Sequence, residues 1–306
     1  MGNKQPFRIK TISEFHKLWQ LPKPEHPLIS IVDYTHIDHS LVDADQPMIL
    51  GCYSITIKRD LGVKMIYGQQ SFDFDEGVMF FMAPNQVLRI EKEPKNISNR
   101  SGWILLIHPD FLWNTLLAKT IKRYEFFQYA MHEALFLSEK EEEIVENIIK
   151  NIQMEYHSNI DTYSQNIIIS QLETLLNYSE RFYQRQFITR KVNNHKLLER
   201  LEDLLENYFN SDDLVKKGLP SVQFVADHLN VSTSYLSGLL KLLTGQSTQQ
   251  HIQNRIIEKA KEKLSTTDLS VGEIAYELGF EYPQSFNKLF KMKTKLSPLE
   301  FRASFN

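Results

Sequence analysis

The chain has 306 residues, a formal net charge of −3 and 42% hydrophobic residues, which is an ordinary globular composition with room for two domains. Its single cysteine, Cys52, excludes an intramolecular disulfide, and CxxC metal motifs are missing, so a reducing cytoplasmic location is expected. The N-terminus lacks an apolar signal region, and no apolar run reaches membrane-spanning length. The composition therefore predicts a cytoplasmic protein without a membrane partner.

Short β-type runs fill the first third of the chain, after an amphipathic helix predicted over Thr11–Trp19. The runs are Leu28–Tyr34, Met48–Lys58, Val63–Phe74, Val78–Ala83, Val87–Glu91 and Trp103–His108. Several of them alternate apolar and polar residues, as strands with one buried face do. Six or more short strands at this spacing predict a β-barrel or jelly roll over residues 1–110.

Helical periodicity replaces this alternation in residues 111–185. One predicted helix carries apolar residues at a four-residue spacing: Ile144, Ile148, Ile152 and Tyr156. A second long amphipathic helix is predicted over Ile167–Tyr183. Because two such stripes exceed what one small barrel needs to cover, we predict that this segment forms a homodimer. The alternative is a helical hairpin that packs only on its own barrel.

A basic stretch with few apolar residues, Arg181 to Asn194, predicts an interdomain connector. An amphipathic helix over Leu197–Phe209 follows, so residues 186–212 are assigned to a connector and a linker helix. Charge is divided unequally, since residues 218–306 hold ten basic and eight acidic side chains whereas the remainder holds 25 and 30. This balance favours an acidic partner for the C-terminal segment, residues 213–306.

The C-terminal segment carries a helix-turn-helix pattern twice. The matched positions are Ala226 with Ala275, Leu229 with Leu278, Val231 with Phe280, and, after one inserted residue, Leu236 with Phe286. A small alanine lets the two helices of each copy cross closely. Asn230 and Gly279 follow the first helix of each copy, and both residue types tolerate a left-handed backbone.

A long helix is predicted between the two copies. It opens with a capping box, Ser247 with Gln250, and continues with apolar residues at a four-residue spacing: Ile252, Ile256, Ala260 and Leu264. About 18 residues at about 1.5 Å each make a rod of roughly 27 Å. Successive major-groove faces of DNA lie about 34 Å apart, so this rod could place two reading helices in adjacent grooves.

The two copies share further residues with a known family of proteins. These are Ala226, Ser232, Tyr235, Leu236, Gly245, Arg255, Ala260, Lys261, Leu264, Ile274, Ala275, Leu278, Gly279, Phe280, Phe286, Phe290, Lys291, Ser297, Pro298, Phe301 and Arg302. In these residues the segment resembles the DNA-binding domain of the AraC/XylS-type transcriptional regulators. It departs from the family at Gly238, Lys288 and Lys295, where arginine, arginine and glycine are common.

The N-terminal half is similar to the cupin-like sensor half of the same regulators. The similarity lies in Tyr67-Gly68, Phe72–Phe74, Gly77, Phe81, Pro84, Gly102-Trp103 and His108–Phe111. The resemblance implies an α+β chain, with a cupin-like β-barrel and helical hairpin before an all-α domain of two helix-turn-helix motifs. It also implies a homodimeric, sequence-specific DNA-binding regulator, an activator, whose partners are double-stranded DNA, a small-molecule effector and RNA polymerase.

The exposed faces of the second helix in each copy are the predicted DNA contacts. The assigned residues are Thr233, Ser234, Ser237, Lys241, Tyr282, Gln284, Ser285, Asn287, Lys288 and Lys291. Asparagine and glutamine can hold adenine through two hydrogen bonds, whereas hydroxyls accept many partners. The second copy is therefore predicted to dominate base reading. The alternative is that it contacts phosphates only.

No catalytic motif is found, and no cofactor is expected. His36 and His39 stand three residues apart, with His108 as a possible neighbour, whereas metal-binding cupins use a histidine pair one residue apart. An exposed turn is therefore predicted instead of a metal site. Four aromatic residues could line an effector pocket or simply form core: Tyr67, Phe80, Phe81 and Trp103. A cupin enzyme fused to a DNA-binding tail, or a regulator without a ligand, are the other hypotheses.

Overall fold

The computed structural model describes residues 6–304, apart from 39–40, 43–46, 60–76, 89–100, 159–160, 162, 190 and 212. The chain divides into two compact units, Met1–Thr189 and Arg190–Asn306. The first unit combines sheets and helices, and the second is built from helices. Within these described ranges, no helix combines the length and the apolar character needed to cross a bilayer.

The strands of the first unit form two sheets. They are β1 (Phe7–Ile9), β2 (Ile29–Asp33), β3 (Met48–Leu50), β4 (Tyr53–Arg59), β5 (Val78–Met82), β6 (Val87–Leu88), β7 (Ser101–Ile107) and β8 (Leu135–Phe136). One sheet has the order β1-β3-β6 and the other the order β2-β7-β4-β5-β8. In the larger sheet β7 pairs antiparallel with both neighbours, so Leu105 lies between Ile31 and Ile55.

The described strands do not close into a barrel. The predicted strand Val63–Phe74 and the end of Val87–Glu91 lie outside the described residues. A cupin-like barrel therefore remains a prediction, whereas a mixed helix-and-sheet chain with a helical C-terminal part is confirmed.

The predicted strand Met48–Lys58 is two strands in the structure. Gly51 separates them: its N–H donates to the Ile9 carbonyl at 2.8 Å, and a Cβ at this position would lie 2.8 Å from the Lys10 oxygen. Cys52 therefore occupies a turn and not the middle of a strand. It is buried, and this burial raises the pKa of its thiol to about 11.

Four helices of the first unit are α1 (Ile12–Leu18), α2 (Leu116–Thr120), α3 (Glu139–Tyr156) and α4 (Ser164–Thr189). A capping box of Ser138 and Glu141 starts α3. Most apolar residues of α3 and α4 are buried within the unit, including Ile148, Ile152 and Leu172, whereas Met154 and Ile167 are exposed. Because these stripes pack largely inside the chain, they do not by themselves require a second copy.

Polar contacts fasten these helices to the larger sheet. Arg59 of β4 pairs with Glu142 and Glu146 of α3. The indole N–H of Trp103 on β7 donates to the same Glu146 carboxylate at 2.8 Å. The contacts favour the alternative in which the hairpin packs on its own sheet, and the homodimer stays a prediction.

The second unit begins with a helix. Its helices are α5 (Lys191–Phe209), α6 (Asp213–Lys217), α7 (Val222–Leu229), α8 (Thr233–Thr244), α9 (Thr248–Thr266), α10 (Val271–Glu277), α11 (Pro283–Thr294) and α12 (Pro298–Ala303). The described residues of the predicted connector are thus helical, since α4 extends to Thr189 and α5 starts at Lys191. Leu201 and Leu205 of α5 are buried in one core with α7, α9 and the rest of the unit.

Candidate nucleic-acid interface

Two helix pairs in the second unit repeat the same backbone path. In α7–α8 the Val231 N–H donates to the Ala226 carbonyl at 3.1 Å, and in α10–α11 the Phe280 N–H donates to the Ala275 carbonyl at 3.0 Å. Asn230 and Gly279 each adopt the left-handed conformation before this bond. The predicted correspondence of these positions is therefore confirmed at the level of individual hydrogen bonds.

Close helix crossing explains the two alanines. Ala226 and Ala275 are both fully buried, where a larger side chain would hold the helices of each pair apart. Each second helix then turns one apolar face inward, through Leu236 in α8 and Phe286 in α11, both completely buried. The opposite face of each second helix is left to carry polar residues.

The start of the second helix differs between the copies. Ser232 caps α8, and its hydroxyl accepts from the Tyr235 N–H at 3.1 Å. Tyr282 occupies the corresponding position before α11 without a side-chain cap, and Pro283 follows at the favoured first position. One extra residue, Glu281, lies between the turn and α11, which is the predicted insertion.

The helix α9 joins the two copies as a single rod. Its 19 residues span roughly 28 Å, and the predicted capping box at Ser247 is present. The predicted stripe along α9 is buried: Ile252, Ile256, Ala260 and Leu264. A salt bridge of 2.6 Å between Lys263 and Glu277 fastens α10 to this rod.

The candidate DNA contacts lie together on each second helix, but their exposure differs. On α8, Thr233, Ser234 and Ser237 are half-buried and Lys241 is exposed. Every candidate on or next to α11 is exposed: Tyr282, Gln284, Ser285, Asn287, Lys288 and Lys291. The polar face of α11 is therefore the more accessible of the two surfaces.

Two basic residues in the C-terminal part of the domain donate hydrogen bonds to other residues of the domain. The Arg302 guanidinium donates to the Leu264 carbonyl at 3.2 Å and to the Leu269 carbonyl at 2.6 Å, so it closes the C-terminal end of α9. The Lys293 ammonium donates to the Asn254 side chain at 3.0 Å. Neither partner is evident from the sequence, in which the two residues are simply part of a basic C-terminal stretch.

The remaining candidates belong to the first unit. Phe81 packs on Phe126 with ring centroids 4.4 Å apart, and Trp103 is buried, so both are core residues. His36 is exposed and His108 half-buried, whereas His39 and Tyr67 lie outside the described residues. Within the part of the chain that the structure describes, no group of three His, Cys, Asp or Glu side chains could hold a metal ion.

Comparison with known proteins agrees with this geometry. Residues 225–304 match the family model of a helix-turn-helix domain. The chain is 32% identical over 143 residues to the uncharacterized HTH-type transcriptional regulator YfiF of Bacillus subtilis, covering 46% of this chain and 42% of that one. It is 34% identical over 110 residues to the transcriptional activator RhaS of Enterobacter, covering 36% and 37%.

A third relative is the arabinose operon regulatory protein of Escherichia coli, 37% identical over 79 residues that cover 26% of this chain and 27% of that protein. The chain therefore spans less than half the length of each of these three relatives. The helices α7 to α12 form a double helix-turn-helix DNA-binding domain. This domain is similar in sequence to the corresponding parts of HTH-type regulators, among them RhaS and the arabinose operon regulatory protein.

Proposed function

We propose that the protein is a sequence-specific DNA-binding transcriptional regulator that acts in the cytoplasm. The observation that supports this most directly is the pair of matched helix-turn-helix units held on one rod, α9. Each unit presents a polar helix face, and a reading helix of this size fits the major groove. A single unit would be a weaker argument, because helix-turn-helix geometry also occurs in proteins that bind no DNA.

The residues suggest a division of labour within the site. Lys241, Lys288 and Lys291 are exposed lysines that would contact phosphates and set the register. Gln284 and Asn287 would read base edges from α11, since their amides match the donor and acceptor pattern of adenine. The half-buried hydroxyls of α8 would add little discrimination, so α11 would be the dominant reader.

Binding to duplex DNA tests the proposal. The full chain should select a defined sequence from a random duplex pool, and its affinity should fall steeply with salt because phosphate contacts release counterions. Lys288→Gln and Lys291→Gln should each reduce the slope of log affinity against log salt by about one. Lys140→Gln, an exposed lysine on α3, is the matched control and should leave the slope unchanged. Equal affinity for all sequences, or no dependence on salt, would contradict the proposal.

We also propose that the regulator is a homodimer through the first unit. Four exposed apolar side chains favour this: Trp113, Leu116, Tyr163 and Ile167, with exposed fractions of 72%, 74%, 68% and 43%. Gln165 donates to the Phe111 carbonyl at 2.7 Å, so the two segments that carry them are adjacent. An apolar surface of this kind is typical of an interaction site.

Sedimentation of the full chain tests the dimer. Leu116→Glu should shift a dimer toward monomer, because a charge would be buried at the interface. Met154→Glu on α3, also exposed, is the matched control and should keep the dimer. A wild-type chain that sediments as a monomer at micromolar concentration would contradict this part of the proposal.

The first unit would serve as a cupin-like sensor of a small molecule, and the regulator would activate by contacting RNA polymerase. The mixed architecture of this unit and the naming of the relative RhaS as an activator support these steps. A thermal-shift screen of the full chain against metabolites tests the sensor. A reporter assay with the selected duplex upstream of a promoter tests activation, and a fall in expression would indicate a repressor.

A further inference from the structure

Three polar side chains form a hydrogen-bonded chain inside the DNA-binding domain. The Asn254 amide donates from Nδ2 to Oε1 of Gln246 at 2.8 Å. The same Asn254 accepts at Oδ1 from the Lys293 ammonium at 3.0 Å. All three side chains are half-buried, so water competes less for these bonds than it does at the surface.

Each residue of this chain belongs to a different part of the domain. Gln246 follows Gly245, the left-handed residue that ends α8. Asn254 lies on α9, within the two turns after its N-terminal cap. Lys293 lies in the last turn of α11. One side chain on the rod thus holds the C-terminal ends of both reading helices.

The length of α11 makes the hydrogen bond at Lys293 important for DNA recognition, because a small tilt at one end of the helix displaces the other end. The helix α11 has 12 residues and is about 18 Å long. A tilt of about 10° at its C-terminal end would move the other end, where Gln284 lies, by about 3 Å. That displacement equals about one base-pair step along the duplex. Small changes at Lys293 would therefore misalign the base-reading residues.

We infer that Asn254 is a positioning residue that sets the mutual orientation of the two reading helices. It acts through Gln246 on the first helix-turn-helix and through Lys293 on the second, and it need not contact DNA itself. The inference rests on the proposed DNA-binding function for its consequence, but the orientation it concerns is a property of the free protein. The salt bridge from Lys263 to Glu277 fastens α10 to the rod, and buried Phe286 and Phe290 anchor α11, so Asn254 would adjust the orientation of α11 around these anchors.

A distance measurement on the free full-length chain tests the orientation directly. Leu242 on α8 and Met292 on α11 are exposed. Nitroxide labels attached to the cysteines of Leu242→Cys and Met292→Cys report the distance between the two helices by pulsed electron paramagnetic resonance. Cys52→Ala removes the one natural thiol. Asn254→Ala should broaden the distance distribution. Asn210→Ala removes an amide that donates to Glu206, four residues earlier, and should leave the distribution unchanged.

Spacing preference on DNA supplies the second readout. On the selected duplex and on versions with one base pair added or removed between the two half-motifs, wild type should prefer the selected spacing. Asn254→Ala should reduce that preference roughly threefold to tenfold, the effect expected for one or two lost hydrogen bonds. Asn254→Asp keeps the acceptor for Lys293 and should retain more of the preference.

The outcomes separate the inference from the proposed function. An unchanged distance distribution together with an unchanged spacing preference would overturn the role of Asn254 and leave DNA binding intact. A uniform loss of affinity on all three duplexes, with the distribution unchanged, would also overturn it, because that pattern indicates a general loss of stability. Broadening without any sequence-specific DNA binding would support the inference and reject the proposed function.

Discussion

The two helix-turn-helix copies follow one backbone path but use different residues to do so. The first copy makes its left-handed turn at Asn230, with φ of 56°, and the second at Gly279, with φ of 77°. At the end of the second helix the choice is reversed, because Gly245 has φ of 72° and Lys295 has φ of 67°. The shared conformation is therefore a property of the motif, and the residue type depends on its surroundings.

The surroundings of Gly279 explain why glycine is needed there. A Cβ at this position would lie 2.8 Å from the Leu214 carbonyl oxygen and 3.1 Å from Gly218 backbone atoms. A Cβ at Gly245 would meet nothing within 4 Å. Close backbone approach thus requires glycine in the turn of the second copy. At Gly245, by contrast, only the left-handed backbone conformation favours glycine.

The largest expected effect is the replacement of Gly279 by alanine. The left-handed backbone costs about 1–2 kcal/mol for a residue with a Cβ, and the clash with backbone atoms cannot be relieved by a rotamer change. We expect Gly279→Ala to lower the free energy of unfolding by roughly 3 kcal/mol or more, measured by denaturant titration of the full chain. Gly245→Ala is the control and should cost only about 1 kcal/mol. Equal costs at the two sites would show that the contact with Leu214 is unimportant.

The next largest effect is a loss of base specificity, which we expect to be greater for substitutions on the exposed face of α11 than on the half-buried face of α8. Asn287→Ala and Gln284→Ala should each relax specificity at one or two base pairs, at about 1–3 kcal/mol each. Ser237→Ala on α8 should cost less, because a hydroxyl discriminates poorly between bases. Selection from randomised duplexes with each variant measures the change. If only Ser234→Ala or Ser237→Ala altered the base preferences, α8 would be the dominant reader.

A smaller effect of opposite sign is expected at Lys295. Glycine would relieve the strain of its left-handed backbone, so Lys295→Gly should raise the free energy of unfolding by about 1 kcal/mol. The reciprocal change, Gly245→Lys, should lower it by about the same amount. Thermal unfolding of both variants decides the matter. A destabilised Lys295→Gly chain would mean that the lysine side chain contributes more than its backbone costs.

The smallest expected effect is a pH-dependent stabilisation of α10, the first helix of the second copy, that α7 in the first copy lacks. Ser270 and Glu273 form a capping box on α10, and the Ser270 side chain and backbone N–H lower the pKa of Glu273 from its ordinary 4.5. In α7 the capping serine, Ser221, has Phe224 three residues on and no such carboxylate. Because the pKa of Glu273 is lower in the folded chain, the ionised carboxylate stabilises the fold at pH values above the unfolded pKa. This stabilisation is lost as the pH falls through the pKa of the folded chain.

Glu273→Gln tests this pH dependence. The variant should be slightly less stable than wild type at neutral pH, and the difference should shrink as the pH drops below 4.5. Urea unfolding at pH 7 and at pH 3.5 measures the two differences. A difference that stays constant across this range would indicate that the carboxylate charge has no part in the cap.

Much of the DNA-binding domain follows from the sequence alone. Capping boxes, the four-residue stripe of α9 and the spacing of Ala226 and Ala275 predict helices that exist at these positions, because local hydrogen bonds and periodic burial are encoded within a few residues. The strands of the first unit were less predictable. The break at Gly51 depends on the approach of Lys10, more than forty positions away along the chain.

Long-range partners were decided only by the tertiary structure. A sequence shows that Arg302 and Lys293 are basic, but not that one binds carbonyls at the end of α9 and the other binds Asn254. It shows apolar stripes on α3 and α4, but not that both are already covered within the unit. The apolar periodicity of a helix predicts that one of its faces is buried, but it does not identify the segment that packs against this face. Partner choice therefore had to come from the fold, since contacts between distant segments leave no local pattern.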